Sequence, residues 1–162
     1  MPLTKIKVLF VCLGNICRST MAEGVFRDLI DKKGLAALVE CDSAGTANYH
    51  VGAKADRRTL QVLTAKGISL SHRGRQLSVQ DFHYFDYILA MDKHNYLDIQ
   101  TVVKGVASPK AKVLMMRQFD AQQSSSDVPD PYYGELIDFE EVYEIVKEAS
   151  EGLVLHLNLT SK

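Results

Sequence analysis

A thiol and a guanidinium lie at the two ends of a short loop near the start of the chain, in the run Cys12-Leu13-Gly14-Asn15-Ile16-Cys17-Arg18-Ser19. A thiolate is a nucleophile, and an arginine can offer two parallel N–H donors to a phosphate group. The residues before the loop indicate a buried strand, and those after it an amphipathic helix. Unpaired N–H groups and the helix dipole favour an anion at such a junction, and they also favour the thiolate form of Cys12. The loop therefore predicts a phosphate site with a nucleophile in its floor.

A later segment, Asp130-Pro131-Tyr132-Tyr133-Gly134, could complete this chemistry. Taken alone it predicts a turn, because proline presets the second position and glycine closes the bend. A phosphate monoester also needs an acid for its leaving oxygen, and Asp130 could protonate that oxygen and later deprotonate the attacking water. Tyr132 and Tyr133 could wall the entrance and stack on an aromatic ring. These roles require the two loops to meet in space.

Predicted strands and helices alternate along the chain and must position both loops. This alternation predicts one α/β domain over residues 1–162. A strand-helix-strand repeat favours a mostly parallel sheet with helices on both faces, in which ligands bind beyond the carboxyl ends of the strands. The predicted strands are Ile6–Val11, Leu38–Asp42, Tyr87–Ala90 and Lys112–Met115, and the predicted helices are Thr20–Lys33, Asp56–Lys66, Ser78–Tyr84, Lys93–Lys104 and Phe139–Leu157.

Several local signals place the ends of these elements. Thr20 with Glu23 and Ser78 with Asp81 have the spacing of a capping box, or close to it, at helix starts. The polar stretch 122–128 contains three consecutive serines and predicts a mobile surface loop.

Composition narrows the class of protein. With 19 Lys+Arg against 20 Asp+Glu, the net charge is −1, which argues against a protein devoted to nucleic acid or to acidic membranes. We find neither a basic-then-apolar leader nor an apolar run approaching about 18 residues, as a secretory signal or a membrane span would require. Three cysteines without the spacing of a disulfide framework favour a reducing compartment, and we expect a cytoplasmic protein.

The motifs together resemble the low-molecular-weight protein tyrosine phosphatase family. The resemblance covers essentially the whole chain and rests on five segments in order: Val-Cys-Leu-Gly-Asn-Ile-Cys-Arg-Ser at 11–19, Asp-Ser-Ala-Gly-Thr at 42–46, Ser-His at 71–72, Phe-Asp-Tyr-Ile-Leu-Ala-Met-Asp at 85–92 and Asp-Pro-Tyr-Tyr-Gly at 130–134. It implies a doubly wound, four-stranded parallel sheet of the flavodoxin or Rossmann kind. It also implies hydrolysis of phosphotyrosine through a phosphocysteine, with no metal and no organic cofactor.

The resemblance also implies roles for individual residues. Cys12 would be the nucleophile, Arg18 the phosphate clamp and Asp130 the general acid and base. Ser19 would steady the thiolate, and the loop from Leu13 to Ser19 would bind the phosphate. The set that would hold the loop in shape, together with Ser19, comprises Asn15, Ser43, His72 and Asp92, and the pocket walls would be Leu13, Ile16, Tyr49, Tyr132 and Tyr133.

Some of these residues have plainer interpretations. Asp92 could simply cap the next helix, Tyr49 could be a solvent-exposed loop residue, and Cys41 is expected to be a small core residue. Cys17 could be a second thiol that only packs, or it could trap an oxidised Cys12 as a reversible disulfide. His50, Arg57 and Arg58 make the region after the second strand basic.

The expected partners are tyrosine-phosphorylated proteins or peptides, with inorganic phosphate and other oxyanions as inhibitors. We expect neither nucleic acid nor a membrane as a partner, and a monomer with weak self-association left open. Phosphotyrosine is favoured over phosphoserine because a phenol, with a pKa of about 10, leaves more easily than an alkyl hydroxyl.

Three other functions remain open. A thiol arsenate reductase uses a related loop but relays oxidation through two further cysteines, of which residues 76–91 contain none. Protein arginine phosphatases of this architecture carry threonine where this chain has Ile16. A non-catalytic phosphotyrosine reader would be favoured by the loss of Cys12, Arg18 or Asp130, and all three are present.

Overall fold

The computed structural model describes residues 4–121 and 127–159. Four parallel strands form one sheet in the order β2-β1-β3-β4, with β1 at Ile6–Cys12, β2 at Val39–Gly45, β3 at Tyr87–Ala90 and β4 at Lys112–Met115. The helices are α1 at Arg18–Lys32, α2 at Arg57–Ala65, α3 at Asp81–Tyr84, α4 at Lys93–Val103 and α5 at Leu136–His156. A short 3-10 helix at Met116–Phe119, which the sequence patterns did not indicate, follows β4.

Helices cover both faces of the sheet, as predicted. Alternate side chains of β1 point to opposite faces, so Val8 and Phe10 join one hydrophobic cluster while Leu9 and Val11 join another. The first cluster is completed by α1, α2 and α5, and the second by α3 and α4. β1 therefore reads as a continuous apolar run because it is buried from both sides.

The strand order places the loop after β1 at a crevice in the sheet. From β1 the chain passes outward to β2 and then returns to the other side of β1 to form β3. Connections leaving neighbouring strands in opposite directions open a crevice at the carboxyl end of the sheet. Cys12 is the last residue of β1 and lies at that crevice.

Three predicted helix starts were wrong, two of them at positions with the spacing of a capping box. α1 begins at Arg18 rather than Thr20, and the Thr20 hydroxyl instead donates to the Cys17 carbonyl within the first turn. Ser78 does bond the Asp81 carboxylate, but regular helix is confined to the four residues of α3.

The last helix starts three residues earlier than predicted. The Glu135 N–H donates to the Asp138 carboxylate at 2.7 Å, which satisfies a donor at the helix N-terminus. The face predicted to pack is confirmed, because each of its members is buried: Phe139, Val142, Tyr143, Val146, Ala149, Leu153 and Leu157.

The predicted mobile loop 122–128 lies mostly outside the described residues. Its last member contradicts the prediction, because Val128 is buried and its N–H donates to the Met91 carbonyl at 2.7 Å. None of the helices in the described part of the chain combines the length and apolar character needed to cross a bilayer.

Candidate active site

The loop after β1 and the loop before α5 meet in one cleft of about 260 Å³. Cys12 and Arg18 lie on the first loop, and Asp130 lies on the second. The juxtaposition that the chemistry requires is therefore present in the fold. The residues lining the cleft are Cys12, Leu13, Gly14, Ile16, Cys17, Arg18, Tyr49, His50, Asp130, Tyr132 and Tyr133.

Cys12 is buried at the floor of this cleft, with its Sγ 3.0 Å from the Ser19 hydroxyl oxygen. The same Ser19 oxygen accepts a hydrogen bond from the Asn15 side-chain amide at 2.9 Å. Because that oxygen already accepts a bond, its own proton is free to point at the sulfur. This arrangement stabilises negative charge on Cys12.

The backbone of the loop offers a ring of unused donors. Within the described residues, the N–H groups of residues 13–18 donate to no acceptor. Buried N–H groups are rarely left unpaired, and a row of them at a helix N-terminus forms an anion site. The backbone can therefore supply the donors that a phosphate group needs.

Arg18 is held at the edge of the site by two bonds from one nitrogen. Its Nη1 donates to Asp92 Oδ2 at 2.6 Å and to the Val128 carbonyl at 3.1 Å. In the part of the chain that the structure describes, Nε and Nη2 donate to no acceptor, so that edge of the guanidinium can receive an oxyanion. Asp92 also caps α4 by accepting from the Asn95 N–H at 2.7 Å, so the same carboxylate contacts both the helix start and Arg18.

The charge of Arg18 is secured by its neighbours. Burial alone would lower its pKa, but the Cys12 thiolate, Asp92 and Asp130 outweigh burial and hold that pKa above its ordinary value. The fixed cation lies within 3.7 Å of the Asp130 carboxylate, measured from Nη2 to Oδ2. Arg18 therefore electrostatically links the thiolate and the acid.

Asn15 fixes the shape of the loop. Its backbone adopts φ = 58°, a left-handed conformation that asparagine tolerates better than most residues. Its amide nitrogen donates to the Ser19 and Ser43 hydroxyls, and its carbonyl oxygen accepts from the Arg75 N–H at 3.0 Å and faces His72 Nε2 at 2.7 Å. Four members of the predicted supporting set thus form one connected network beneath the phosphate loop: Asn15, Ser19, Ser43 and His72. The fifth, Asp92, lies outside this network and bonds Arg18.

The far side of His72 faces two carboxylates. Its Nδ1 lies 3.2 Å from oxygens of both Glu23 and Asp42, so each ring nitrogen of His72 faces an oxygen atom. These three side chains have the composition of a metal site, with donor atoms within 4.8 Å of one another. Arg27 and Arg75 already pair with the two carboxylates, which favours a charge-balanced hydrogen-bond network at this position.

The end of β2 closes over the phosphate loop. The Thr46 N–H donates to the Cys12 carbonyl and the Ala47 N–H to the Leu13 carbonyl. A Cβ atom on Gly45 would lie 2.7 Å from the Leu13 carbonyl oxygen, so this close approach requires glycine. The segment 42–46 therefore matters because it packs against the loop from below.

Asp130 is half exposed above the cleft, and the buried Pro131 follows it. Its Oδ1 accepts from the Tyr132 N–H at 3.1 Å, a local bond that sets the direction of the carboxylate. The ring centroids of Tyr132 and Tyr133 are 4.8 Å apart in an edge-to-face arrangement. Tyr133 is 94% exposed and Tyr132 is partly covered, so the pair forms a rim rather than a buried wall.

Tyr49 and His50 form the opposite rim, with the His50 ring between Tyr49 and Tyr132 at centroid distances of 6.5 and 6.3 Å. Sequence reasoning treated His50 only as a basic residue and did not place it in the pocket. Its position directly after Tyr49, in the loop leaving β2, is the signal that could have identified it. The supporting roles of Glu23 and Asp42 were also missed, because nothing in their local sequence distinguishes them from surface acids.

The remaining two cysteines are poor nucleophiles. Burial raises the pKa of the Cys17 thiol far above its usual range, and nearby Asp56, Cys12 and Asp130 add to the effect. Burial likewise raises the pKa of Cys41 to about 12, which suits the core residue predicted from its place on β2. At neutral pH both side chains are neutral thiols.

Comparison with known proteins places this site in a family. The sequence profile described as low molecular weight phosphotyrosine protein phosphatase matches residues 7–162. A Schizosaccharomyces pombe protein described as a low molecular weight phosphotyrosine protein phosphatase is 49% identical over 130 residues, covering 80% of this chain and 82% of that protein.

The fold is also similar to those of solved phosphatase structures. A protein tyrosine phosphatase from Entamoeba histolytica superposes with a TM-score of 0.89 at 39% identity, over 95% of this chain and 97% of its own. A Drosophila arginine phosphatase superposes with a TM-score of 0.90 at 34% identity, over 96% of this chain and 100% of its own. With a matching profile over almost the whole sequence and close relatives on the same fold, the chain belongs to the low molecular weight phosphotyrosine protein phosphatase family.

Proposed function

We propose that this protein hydrolyses phosphotyrosine in proteins and peptides, and small aryl phosphates, through a phosphocysteine on Cys12. The observation that carries the proposal is the convergence of three groups in one cleft: the buried Cys12 sulfur, the open edge of Arg18, and an Asp130 carboxylate 3.7 Å from that arginine. Family membership supports the same activity.

In the first step, the Cys12 sulfur forms a bond to phosphorus while the bond from phosphorus to the phenolic oxygen breaks. Asp130 gives its proton to the departing oxygen, which leaves as a neutral phenol. Charge on the three equatorial oxygens is met by Arg18 and by the free N–H groups of residues 13–18. Ser19 donates to the sulfur before attack and after release.

In the second step, Asp130 takes a proton from water as the water oxygen attacks phosphorus. The bond from phosphorus to sulfur breaks, and Cys12 leaves as the thiolate that Ser19 stabilises. Every charge and proton in the cycle is handled by the chain, so we propose that no metal or organic cofactor takes part. Inorganic phosphate and other oxyanions should compete for the same donors and inhibit.

The entrance favours a flat ring. Leu13 and Ile16 present apolar surface in the cleft, and Tyr49 and Tyr132 stand on its two sides. Aromatic pairs of this kind contribute about 0.5–1.5 kcal/mol beyond simple burial. We propose that the tyrosyl ring of the substrate stands between these rims while its phosphate reaches the loop.

Substrate comparison tests this function. We expect a phosphotyrosine peptide to be hydrolysed at least about 10²-fold faster than the matched phosphoserine peptide, because the phenol is the better leaving group for one carboxylic acid. Excess EDTA should leave the rate unchanged. Similar rates on the two peptides, or loss of activity in EDTA, would contradict the proposal.

Arginine phosphatase activity is the second candidate, since an arginine phosphatase shares the fold at a TM-score of 0.90. Ile16 lies in the cleft, and its apolar side chain offers no hydrogen bond to a guanidinium. In the same assay, a phosphoarginine peptide should therefore be turned over more slowly than the phosphotyrosine peptide. The reverse order would reassign the substrate while keeping the mechanism.

The other two alternatives are less well supported. Arsenate reduction requires relay cysteines, and the third cysteine of the chain, Cys41, is buried on β2 as a neutral thiol. A non-catalytic reader would bind phosphotyrosine without turning it over. Multiple turnover of any aryl phosphate would exclude the hypothesis of a non-catalytic phosphotyrosine reader.

We further propose that oxidised Cys12 is trapped by Cys17. Peroxide would convert the Cys12 thiolate to a sulfenic acid, and the Cys17 sulfur would attack it to form a disulfide with release of water. Both residues line the same cleft. Because burial raises the pKa of Cys17, we expect trapping to be slow.

Peptide mass mapping after peroxide treatment should show a Cys12–Cys17 disulfide, and a thiol should restore activity. The Cys17→Ser variant should recover a far smaller fraction of its own starting activity. Irreversible inactivation of the unmodified protein, with no such disulfide, would refute the idea.

Catalysis needs Cys12 reduced, so we propose that the protein acts in a reducing compartment, the cytoplasm. We also propose that it acts as a monomer.

A further inference from the structure

The Arg58 side chain joins the acid loop to the body of the protein. Its Nη2 donates to the Tyr132 carbonyl at 2.9 Å and its Nη1 to the Gly134 carbonyl at 3.0 Å. Both carbonyls belong to the turn that follows Asp130. Bonds within the turn, such as the one from the Gly134 N–H to the Pro131 carbonyl, shape it without attaching it to α2.

Arg58 is itself held by Asp56, the residue that caps α2. Arg58 Nε and Nη2 each lie 3.0 Å from the Asp56 carboxylate, and the Arg58 N–H donates to the same carboxylate at 2.8 Å. The pairing holds the pKa of Asp56 below its ordinary value even though burial opposes this, so the carboxylate is ionised at neutral pH.

Asp56 in turn contacts the phosphate loop. Its N–H donates to the Ile16 carbonyl at 2.8 Å. A continuous path of hydrogen bonds therefore runs from the phosphate loop through Asp56 and Arg58 to the loop that carries Asp130. The two halves of the site, which are more than a hundred residues apart in sequence, are tied at this point.

The geometry suits arginine and no other side chain. The guanidinium lies over the Phe139 ring, 4.3 Å from its centroid, while its three nitrogens reach a carboxylate and two carbonyls. A lysine could carry the charge but could not present a planar fork to these acceptors. The packing on Phe139, in the first turn of α5, fixes the plane of the fork.

We propose that Arg58 is a positioning residue that sets the distance between Asp130 and the Cys12 sulfur, an inference that rests on the phosphatase function proposed above. Proton transfer to the leaving oxygen requires the carboxylate within hydrogen-bond reach of it. Without Arg58, the turn loses two of its attachments, and Asp130 spends less time at that distance. Steps that use Asp130 neither as an acid nor as a base are unaffected.

Leaving-group dependence tests this role. In Arg58→Ala, hydrolysis of an aryl phosphate with a poorly acidic phenol should fall by about 10²-fold, the cost of misplacing a catalytic group by roughly 1 Å. The losses are compared as kcat/KM, which covers the steps up to formation of the phosphocysteine. On an aryl phosphate with a strongly acidic phenol, kcat/KM should change little, because that leaving group departs unprotonated. Arg58→Lys should recover only part of the loss, since a single ammonium cannot bond both carbonyls and Asp56 together.

Arg57→Ala is the matched control. Arg57 is the exposed neighbour on the same helical turn, and it makes no hydrogen bond or ion pair with any residue that the structure describes. It should match the unmodified protein on both substrates. A thermal melt of each variant establishes that the folded protein is being assayed.

A double variant separates positioning from general damage. If Arg58 acts through Asp130, Arg58→Ala should cost nothing further in an Asp130→Ala background on the poor leaving group. Equal losses of kcat/KM on both substrates, or additive losses in the double variant, would overturn the proposal. If the phosphatase function itself were wrong, the unmodified protein would fail on the good leaving group, a result distinct from either outcome.

Discussion

Replacing Cys12 with serine should abolish turnover, lowering kcat on any aryl phosphate by at least about 10⁴-fold, in the range found when a catalytic nucleophile is removed. A serine hydroxyl is almost wholly protonated at neutral pH, and among the residues that the structure describes no base is hydrogen-bonded at this position. Its neighbour is the Ser19 hydroxyl, 3.0 Å from the sulfur, which donates to a thiolate but is a weak base. Steady-state hydrolysis of an aryl phosphate measures the loss.

Two controls make this result specific. Cys41→Ser removes a cysteine from β2, outside the cleft, and should retain most activity once its folding is verified. Cys12→Ser should still bind inorganic phosphate, because Arg18 and the N–H groups of residues 13–18 remain. Substantial turnover by Cys12→Ser would show that the sulfur is not the nucleophile.

Replacing Asp130 with asparagine should produce the second largest loss, about 10²- to 10³-fold on a poor leaving group, the usual contribution of a general acid. Asparagine keeps the shape and can still accept the Tyr132 N–H, which is 3.1 Å from Oδ1 in the native side chain. It has no proton to give to the phenolic oxygen. A series of aryl phosphates with increasingly basic leaving groups should show a steeper fall in rate for the variant than for the unmodified protein.

Arg18 cannot replace Asp130 as the acid, because Cys12, Asp92 and Asp130 hold its pKa above the ordinary value and it stays charged. Full rate of Asp130→Asn on the poor leaving group would require a different acid.

The two site loops differ in how far sequence predicts them. The run from Cys12 to Ser19 carries its chemistry locally, because β1 and α1 fix its place at the carboxyl end of the sheet. Its meeting with Asp130 depends on the turn before α5 folding back over the cleft. Pro131 and Gly134 predict that turn, but they do not indicate which part of the fold the turn will contact.

The hydrogen-bond network beneath the phosphate loop was predicted only in part. Asn15, Ser43 and His72 were assigned through family resemblance, and the structure brings them together on hydrogen bonds of 2.7–3.0 Å. Glu23 and Asp42 complete the network from α1 and β2, yet a carboxylate on an amphipathic helix ordinarily indicates a solvated face. Only the packing of α1 against β2 buries Glu23 beside His72.

Helix starts were misplaced where tertiary contacts override local capping. Thr20 has the spacing of an N-cap residue with Glu23, but helix begins two residues earlier so that Arg18 can face the cleft. Glu23 then turns inward to accept from the Ser43 hydroxyl instead of capping. In this helix the functional site, rather than the capping signal, decides where regular structure begins.

The pocket rim carries the most exposed side chains of the site. Tyr49, His50, Tyr132 and Tyr133 contact one another mainly through ring edges, and Tyr133 is almost fully exposed. Relatives on this fold include both a tyrosine and an arginine phosphatase. A phosphate loop held from beneath and a rim free to change would let one mechanism serve different phosphorylated side chains.

Trapping the covalent intermediate tests the central claim most directly. Asp130→Asn lacks the base for the second step, so an aryl phosphate with a strongly acidic phenol should phosphorylate it faster than water can release the phosphate. Rapid acid quenching followed by peptide mass mapping should find one phosphoryl group, bound through sulfur, at Cys12. The absence of any phosphorylated enzyme under these conditions, or phosphate on a residue other than Cys12, would contradict the mechanism.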